Sequence, residues 1–269
     1  KVEQLHFGGG TPTYLDKDQL GALMKHLRSS FNFDDSDARE FSIEVDPRTV
    51  DEERIQELWD LGFNRLSLGI QDFNEEVQKS VNRMQSTDEV QALVDAARNA
   101  GFGSISFDLI YGLPHQTVES FDRTLDIVLA MEPDRLAVYN YAHLPQRFKG
   151  QRMINADDIP APETKLDLLR HTIEKLCDVG YIYIGMDHFA LPDDELVIAR
   201  GDGTLQRNFQ GYSTHRHCDL IALGVSGIAS IGNLFAQNSV TTMEYEEIIE
   251  RGETSATEAD GEREHSEAG

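Results

Sequence analysis

The pattern that most constrains the fold is a regular alternation of short apolar runs with longer amphipathic segments. The short runs favour strands, because apolar and polar residues alternate, and the longer segments carry apolar residues at helical spacing. Strands are predicted at 2–7, 40–45, 65–70, 104–110, 135–139, 181–185 and 219–225, and helices at 15–31, 51–61, 75–81, 87–100, 118–131 and 164–179. This order predicts an α/β fold of parallel βα units with right-handed crossovers, as in a barrel or partial barrel. In such barrels the ligand chemistry lies at the C-terminal ends of the strands.

The end of the first predicted strand carries three consecutive glycines, Gly8, Gly9 and Gly10, followed by Thr11 and Pro12. Glycines at a strand end let a ligand approach the backbone, because no Cβ blocks it. Pro12 fixes its own φ and favours an extended Thr11, so the segment should form a rigid main-chain edge. Such an edge can offer carbonyls to an ammonium group and amides to a carboxylate. No Gly-Lys-Ser/Thr follows, which excludes a phosphate-binding loop, and an ordinary tight turn is the alternative.

The charge balance excludes several classes of partner. Asp and Glu number 48 against 24 Lys and Arg, which gives a formal charge of −24 and repels nucleic acid and anionic membranes. No apolar run approaches the roughly 20 residues that span a bilayer, and no signal peptide opens the chain. Cys177 and Cys218 do not make a disulfide framework, so we expect a protein of the reducing cytoplasm. We also expect a monomer.

Two acids are the sharpest candidates for ligand binding. Glu44 ends a predicted strand and could hold a ribose hydroxyl or an ammonium group, with a solvated strand-end acid as the alternative. Asp108 lies inside a strongly apolar strand, where a lone carboxylate is costly unless it has a partner. Arg83 is a candidate partner, so a structural ion pair between Asp108 and Arg83 competes with a ligand-binding role.

Other polar side chains follow later predicted strands. His143 and His188 could move protons or steer carboxylates, or they could be hydrogen-bonded structural histidines. Tyr139 and Tyr141 could line an aromatic wall, although one of the two should be buried. The run at 215–218, His-Arg-His-Cys, is interpreted as a polar loop rather than a metal site, because no second pair of ligands accompanies it.

Seven short strings, taken in order, carry a resemblance to a known family. The glycine run at 8–12 resembles the second-strand motif of radical S-adenosylmethionine (SAM) enzymes. Six further strings lie at 44–48, 69–74, 108–114, 139–145, 185–189 and 208–212. Together they resemble the oxygen-independent coproporphyrinogen III dehydrogenases of haem biosynthesis, over roughly residues 1–245. All of these strings except that at 208–212 lie at or just after a predicted strand end, and this placement follows from the strand pattern alone.

The resemblance implies two bound SAM molecules. Positions that match the family's first SAM site are Gly9, Glu44 and Ile228. Positions that match its second SAM site are Gly10, Thr11, Gln71, Arg83, Asp108 and Ala142. Without the resemblance, Ile228 is predicted to lie in the core.

The family also carries a Cys-x-x-x-Cys-x-x-Cys loop after the first barrel strand, and its thiolates hold a [4Fe–4S] cluster. This chain starts with the strand that would come second, and neither Cys177 nor Cys218 lies in such a motif. The chain itself is therefore predicted to hold no metal ligands. We expect either a fragment of such an enzyme, truncated at both ends and inactive alone, or a degenerate copy.

For the complete enzyme, the resemblance implies an oxidative decarboxylation. An electron from the cluster cleaves SAM to a 5′-deoxyadenosyl radical, which abstracts hydrogen from a substrate propionate. Loss of carbon dioxide and an electron then leaves a vinyl group, and two rounds convert coproporphyrinogen III to protoporphyrinogen IX. Arg147, Arg152 and Arg207 would orient the four propionates, with surface solvation as the alternative. The electron donor and acceptor stay open.

Two other functions remain as alternatives. A related haem chaperone shares the glycine start, but it usually departs from the strings at 44–48, 71–74 and 140–143, which this chain keeps. The other is a non-enzymatic barrel that binds a partner.

The end of the chain departs from the βα pattern. From Met243 to Gly269 there are ten acidic residues and two arginines. Such a segment buries too little apolar surface to offset its ordering entropy. We therefore predict a partial barrel over 1–243 and an acidic tail over 244–269 that is disordered at least from 252.

Overall fold

The computed structural model describes residues 1–208, 211–255 and 257–259, and the chain divides into two compact units, Lys1–Val197 and Ile198–Gly269. The first unit contains seven strands: β1 (Gln4–Phe7), β2 (Glu40–Val45), β3 (Arg65–Gln71), β4 (Ser104–Tyr111), β5 (Arg135–Asn140), β6 (Ile182–Gly185) and β7 (His188–Ala190). Its helices are α1 (Lys17–Ser30), α2 (Glu52–Asp60), α3 (Glu75–Ser80), α4 (Thr87–Ala100), α5 (Val118–Ala130) and α6 (Pro162–Asp178), and α7 (Glu195–Gly201) reaches across the boundary between the units.

The seven strands form one sheet in the order β1-β2-β3-β4-β5-β7-β6. The strands from β1 to β5 are parallel, and each pairs with the next along the chain. β7 is antiparallel to both of its neighbours, β5 and β6. Sequential parallel strands joined by helices are the arrangement that the alternation predicts, so the α/β fold with a parallel sheet is confirmed.

Alternate residues of the parallel strands face two different environments. Phe41, Ile43 and Val45 of β2 are buried, as are Phe107 and Leu109 of β4. They pack in one apolar core with buried residues of the helices, which include Leu20, Leu58, Val90, Leu93, Phe121 and Leu125. Burying each such side chain contributes about 1.5–3 kcal/mol, so this face of the sheet holds the helices in place.

The opposite face of the same strands is polar. It presents Ser42 and Glu44 from β2, Ser67 from β3, and Ser106 and Asp108 from β4, none of which is fully buried. The parallel register brings these residues side by side: Glu44 is opposite Ser67, and Gly69 is opposite Asp108. The helices thus cover the apolar face of the sheet, and the polar face is left to form a site.

Helix starts are specified locally. Asp16 and Gln19 form reciprocal side-chain to backbone hydrogen bonds at the start of α1, and Ser86 and Glu89 do the same for α4. Each such cap satisfies backbone N–H groups that the helix leaves unpaired, and is worth about 1 kcal/mol.

The second unit contains β8 (Gln206–Asn208), β9 (Gly211–Ser213), β10 (Ile228–Ile231), β11 (Leu234–Gln237), α8 (Thr242–Glu250) and β12 (Thr257–Ala259). The strand predicted at 219–225 is wrong, because this segment makes only an isolated bridge, from Leu220 to Ser230. Ile221 and Leu223 are 57% and 64% exposed, so the apolar run is not a buried strand. A turn with Gly224 and Ser226 at positive φ follows instead.

The sequence also missed the hairpin at 182–190. The predicted strand at 181–185 exists as β6, but the chain reverses at Gly185 and Met186, both with positive φ, and returns as β7. β7, rather than β6, then pairs with β5. A non-glycine residue such as Met186 gives no sequence signal for a turn with positive φ, so periodicity alone did not predict this reversal.

No helix in the described part of the chain is both long and apolar enough to cross a bilayer. The acidic tail predicted at 244–269 stays a prediction. Residues 256 and 260–269 of that segment lie outside the described residues.

Candidate functional site

A polar pocket opens at the C-terminal ends of β1 to β4. It lies wholly within the first unit, on the polar face of the sheet. Its walls are formed by residues from the glycine run, the three following strands and the segment after α3: Gly10, Thr11, Glu44, Val45, Asp46, Ser67, Gly69, Gln71, Arg83 and Asp108. Six of the nine residues predicted for SAM binding are in this set, so the structure brings them together in one place.

Asp108 lies on the pocket wall in the middle of the sheet. Ser67 Oγ, on the neighbouring strand, donates a hydrogen bond to Asp108 Oδ2 at 3.1 Å. Loss of hydration raises the pKa of Asp108 from 3.8 to about 6, because one hydroxyl donor does not replace water and the negative charge of Glu44 adds to the effect. The pocket therefore holds a carboxylate that gains from a cationic or hydrogen-bond-donating ligand.

Glu44 lies beside the glycine run. His6 Nε2 is 3.4 Å from Glu44 Oε1, and the backbone N–H of Gly9 donates to Glu44 Oε2 at 2.9 Å. The hydrogen bond with His6 lowers the pKa of Glu44, and that from Gly9 lowers it further against the opposing effect of burial. His6 is itself held by Ser42, whose Oγ is 2.8 Å from His6 Nδ1. Glu44 is thus an oriented, ionised carboxylate at the pocket wall.

The glycines beside Glu44 are required by close approach and by backbone geometry. A Cβ on Gly8 would lie 2.8 Å from Glu44 Oε1 and would also clash with the His6 ring. Gly9 and Gly10 have φ values of +80° and +62°, which other residues adopt at a cost. The predicted open main-chain edge at 8–10 is therefore a left-handed turn against the Glu44 carboxylate.

Arg83 reaches the pocket from the segment after α3. Its Nη2 donates to the carbonyl of Gly69 at 2.9 Å and lies 3.4 Å from Asp46 Oδ2. Asp46 is also held by Arg48 through two nitrogens, at 3.0 Å and 2.7 Å. The predicted structural pair of Asp108 and Arg83 is wrong, because Asp108 takes its hydrogen bond from Ser67 and Arg83 pairs with Asp46.

Two buried atoms on the pocket wall have no hydrogen-bond partner in the described structure: Gln71 Oε1 and Arg83 Nε. Gln71 has a positive φ of 67°, an unusual backbone conformation for a non-glycine residue. Gly69 leaves room for both side chains, since a Cβ there would lie 3.1 Å from Gln71 Nε2 and 3.4 Å from Arg83 Nη2. Buried polar atoms without partners are costly, so these two are candidates to bind a ligand.

A buried polar cluster lies directly behind Gln71. Asp72, 1% exposed, accepts hydrogen bonds from Thr124 Oγ1, the Asn74 N–H and Gln116 Nε2, each at 2.6 Å. Gln116 also accepts from the N–H of Gly112 at 2.5 Å. The cluster thereby ties the loop after β3 to the loop after β4. Burial raises the pKa of Asp72.

Sequence reasoning missed Asp46, Ser67 and Asp72. Asp46 and Asp72 lie inside the strings at 44–48 and 69–74, next to predicted site residues in the sequence. That position could have indicated that they belong to the site. Ser67 is a polar residue between two buried leucines of β3, and it pairs in register with Glu44 of β2. Only the pairing of neighbouring strands reveals that it reaches Asp108.

The remaining predicted residues lie outside this set of walls. Gly9 contributes its N–H to Glu44, as described above. Ala142, exposed, follows β5, and its carbonyl accepts a hydrogen bond from Gln151 at 3.0 Å. Ile228 begins β10, and Arg207 lies on β8; both strands belong to the second unit.

Two tyrosines and two histidines lie near the C-terminal end of β5: Tyr139, Tyr141, His143 and His188. Tyr141 is 8% exposed and Tyr139 40%, which confirms that one of the two is buried. The Tyr141 hydroxyl and His143 Nδ1 are 3.1 Å apart, and the Tyr139 and His188 rings meet edge to face at 6.0 Å. Although the residue is partly exposed, loss of hydration at its hydroxyl, with the charges of Asp108 and Glu44, raises the pKa of Tyr139, so the hydroxyl stays protonated.

The two cysteines are exposed and belong to different units. Cys177 lies in α6 of the first unit, and Cys218 follows β9 in the second. Neither belongs to a three-cysteine motif, so the residues present do not fit a [4Fe–4S] cluster, which thiolates hold.

Comparisons with known proteins agree with this fold. Residues 1–128 match the model of the Radical SAM superfamily. The chain is 58% identical over 252 residues to an oxygen-independent coproporphyrinogen III oxidase from Pseudomonas aeruginosa, and 54% identical over 252 residues to one from Escherichia coli. These matches cover 94% and 93% of this chain but 55% of each relative, so the chain spans about half the length of the curated relatives it matches.

A solved structure is also similar. The coproporphyrinogen III oxidase HemN from Escherichia coli, described as a radical SAM enzyme, superposes with a TM-score of 0.91 and 52% sequence identity. The match covers 96% of this chain and 59% of that one. The predicted fold of radical SAM type is therefore confirmed, as is the resemblance in sequence.

Proposed function

We propose that this chain, which carries a radical SAM domain, forms the SAM-binding part of an enzyme that decarboxylates coproporphyrinogen III oxidatively to protoporphyrinogen IX. The observation that carries the proposal is the pocket on the polar face, where two oriented carboxylates and two unpartnered buried atoms meet. The names of the relatives, which are 54–58% identical, give the substrate.

The pocket fits the chemical groups of SAM. Ionised Glu44 can hold an ammonium group or ribose hydroxyls, and Asp108 gains from a nearby positive charge such as a sulfonium. Arg83 Nε can donate to a carboxylate, and Gln71 Oε1 can accept from an amine or a hydroxyl. Gly10 leaves open space where a side chain would block the approach. Gly9, Gly10, Thr11, Glu44, Gln71, Arg83 and Asp108 are thus our proposed cofactor-binding residues, with Ala142 and Ile228 added by resemblance.

When bound, SAM supplies the group that removes hydrogen from the substrate in radical SAM enzymes. This chain's own residues bind and orient it. The Ser67 hydroxyl donates to Asp108 and the Gly9 N–H donates to Glu44, so both carboxylates are held in place for the cofactor. The [4Fe–4S] cluster, which these enzymes need, does not fit the two cysteines of the chain.

The proposal is tested by measuring turnover of coproporphyrinogen III by a completed protein. The chain is joined to the segments of the Pseudomonas aeruginosa relative that it does not match, and conversion of coproporphyrinogen III is followed by chromatography under anaerobic, reducing conditions. We expect protoporphyrinogen IX with the wild-type chain and a rate at least about tenfold lower with Glu44→Gln, because a charge-assisted contact is lost. Glu75→Gln is the matched control, since Glu75 is an exposed helix acid paired with Lys79.

Two results would count against the proposal. A completed protein that consumes SAM but leaves coproporphyrinogen III unchanged would contradict the assigned substrate. A completed protein that binds haem tightly and turns over neither compound would favour the chaperone alternative.

A further inference from the structure

The segment between Arg135 and Asp157 differs in charge from the rest of the chain. Residues 136–156 hold three cations and no acid, although acids outnumber Lys and Arg by 48 to 24 overall. The three cations, Arg147, Lys149 and Arg152, lie in the exposed loop 143–153. A local positive patch on a chain of charge −24 is what an anionic small molecule needs to overcome the general repulsion.

The cations of this loop do not neutralise neighbouring acids. Among the described residues, none of the three forms an ion pair, whereas most other arginines of the first unit do, for example Arg54 with Glu57 and Arg98 with Asp134. Arg152 Nε donates to the carbonyl of Pro145 at 3.2 Å and so holds the loop. The charged groups of Arg147 and Lys149 remain available for a carboxylate.

Large apolar side chains are interleaved with these cations. Leu144 is 44% exposed, Phe148 49% and Met153 92%. The Arg147 guanidinium lies 5.6 Å from the centre of the Phe148 ring, so charge and apolar surface are adjacent. This combination fits a flat apolar molecule with carboxylates at its rim better than it fits a uniformly polar anion.

The loop is held at the same edge of the sheet as the pocket. It follows the C-terminal end of β5, which pairs with β4, the strand of Asp108. Ile154 and Ile159, just beyond the loop, pack on a small cluster of Val77, Leu113 and Tyr141.

The loop is also ordered by its own hydrogen bonds. Gln151 bridges the Ala142 carbonyl at 3.0 Å and the Leu144 N–H at 2.5 Å. Its cations are therefore presented on a fixed backbone, and less conformational entropy is lost on binding.

We propose that Arg147 and Lys149 bind propionate carboxylates of the tetrapyrrole substrate, while Leu144, Phe148 and Met153 contact its apolar face. This inference rests on the proposed function, because the substrate class comes from there. Arg152 acts as a positioning residue, which fixes the loop through Pro145. The loop selects a substrate by its number of carboxylates.

The test is a binding titration with the 269-residue chain and two stable porphyrins. Coproporphyrin III has four propionates, and mesoporphyrin IX has two, with ethyl groups in place of the others. We expect coproporphyrin III to bind at least about tenfold more tightly, and increasing salt to reduce that difference. Porphyrin fluorescence gives the dissociation constants, and SAM binding is measured in the same samples.

Arg147→Gln/Lys149→Gln is the deciding variant. It should reduce the preference for coproporphyrin III at least about tenfold and leave mesoporphyrin binding within about twofold. Lys25→Gln/Arg123→Gln is the matched control: it removes the same charge from two exposed residues on α1 and α5. The control should bind both porphyrins as wild type does, and both variants should melt as wild type does.

The outcomes separate the inference from the proposed function. If the loop variant keeps the full preference for coproporphyrin III, the inference is wrong and the proposed substrate stands. If wild type binds neither porphyrin, the inference is wrong, and turnover by the completed protein decides the proposed function separately. If binding depends on the loop but SAM does not bind, the inference holds and the proposed SAM site fails.

Discussion

The two faces of the parallel sheet are built from alternate residues of the same strands, yet they differ in almost every physical respect. Phe107 and Leu109 on one face of β4 are fully buried among helix side chains, while Asp108 between them faces a polar pocket. The apolar face is satisfied by packing within the chain. The polar face keeps a carboxylate with a raised pKa and two buried atoms without partners.

Adjacent residues of one strand therefore serve different ends: one stabilises the fold, and the next is available to bind a ligand. Side chains alternate between faces with a period of two, so neighbouring residues contribute to different properties. Changes on the apolar face should therefore affect unfolding, and changes on the polar face should affect ligand binding and its pH dependence.

The largest expected effect is on the apolar face. Phe107→Ala should lower the free energy of unfolding by about 3–5 kcal/mol, because Phe107 is 0% exposed and the substitution leaves a cavity. Urea unfolding followed by circular dichroism measures this loss. A loss below about 1 kcal/mol would show that the helices do not depend on this face.

On the polar face, the contribution of Asp108 to stability should depend on pH. The pKa of Asp108 is about 6 in the folded chain, against an ordinary value of 3.8, so on raising the pH the unfolded chain releases this proton first. Between about pH 4 and 6 the folded state binds more protons, and the contribution of Asp108 to stability falls as pH rises. Above pH 6 the cost of the charged carboxylate is at most about 3 kcal/mol, at about 1.4 kcal/mol per unit of pKa.

Asp108→Asn removes this titration and serves as the reference. The variant should be more stable than wild type at pH 7, and the two should become equal near pH 4. Urea unfolding of both proteins at pH 4, 5, 6 and 7 gives the difference between their free energies of unfolding. The contributions of all other titrating groups cancel in this difference. A variant that is less stable than wild type at pH 7 would contradict the assigned environment of Asp108.

A smaller loss of stability is expected when the buried polar cluster around Asp72 is changed. Asp72→Asn places an NH₂ group opposite Gln116 Nε2, where the carboxylate now accepts a hydrogen bond. We expect a loss of about 1–3 kcal/mol in the free energy of unfolding. The double variant Asp72→Asn/Gln116→Glu supplies an acceptor for the new amide at position 72 and keeps one for the Gly112 N–H, so it should recover part of the loss. No recovery would mean that the pair does not act as one network.

Most of the fold could be predicted from the sequence because strands and helices of the first unit have clear periods. β2 was predicted at 40–45 and is found there, and α4 was predicted at 87–100 and is found there. The predictions failed where strand formation depends on long-range pairing or on a turn. The examples are the hairpin at 182–190, which was not predicted, and the strand at 219–225, which was predicted but is not formed. Ile221 and Leu223 are residue types that strands favour, but both are exposed and have no neighbouring strand among the described residues to pair with along the segment.

The candidate site was predictable in part for a similar reason. Six residues of the pocket wall were named from short strings at strand ends, since parallel strands bring their C-terminal ends together. Which of them contact each other was not predictable. Arg83 was a candidate partner for Asp108 but pairs with Asp46, and sequence does not reveal which of two nearby acids a long side chain reaches.

The affinity for SAM of two variants changed at adjacent residues of β4 separates ligand binding on the polar face from packing on the apolar face. Isothermal titration at neutral pH compares wild type with Asp108→Asn on the polar face and Phe107→Leu on the apolar face. We predict that Asp108→Asn weakens SAM binding at least about tenfold while the protein stays folded, and that Phe107→Leu lowers the melting temperature but leaves the dissociation constant within about twofold. Equal SAM affinity for wild type and Asp108→Asn, or a larger loss of affinity in Phe107→Leu, would contradict the assignment of ligand binding to the polar face.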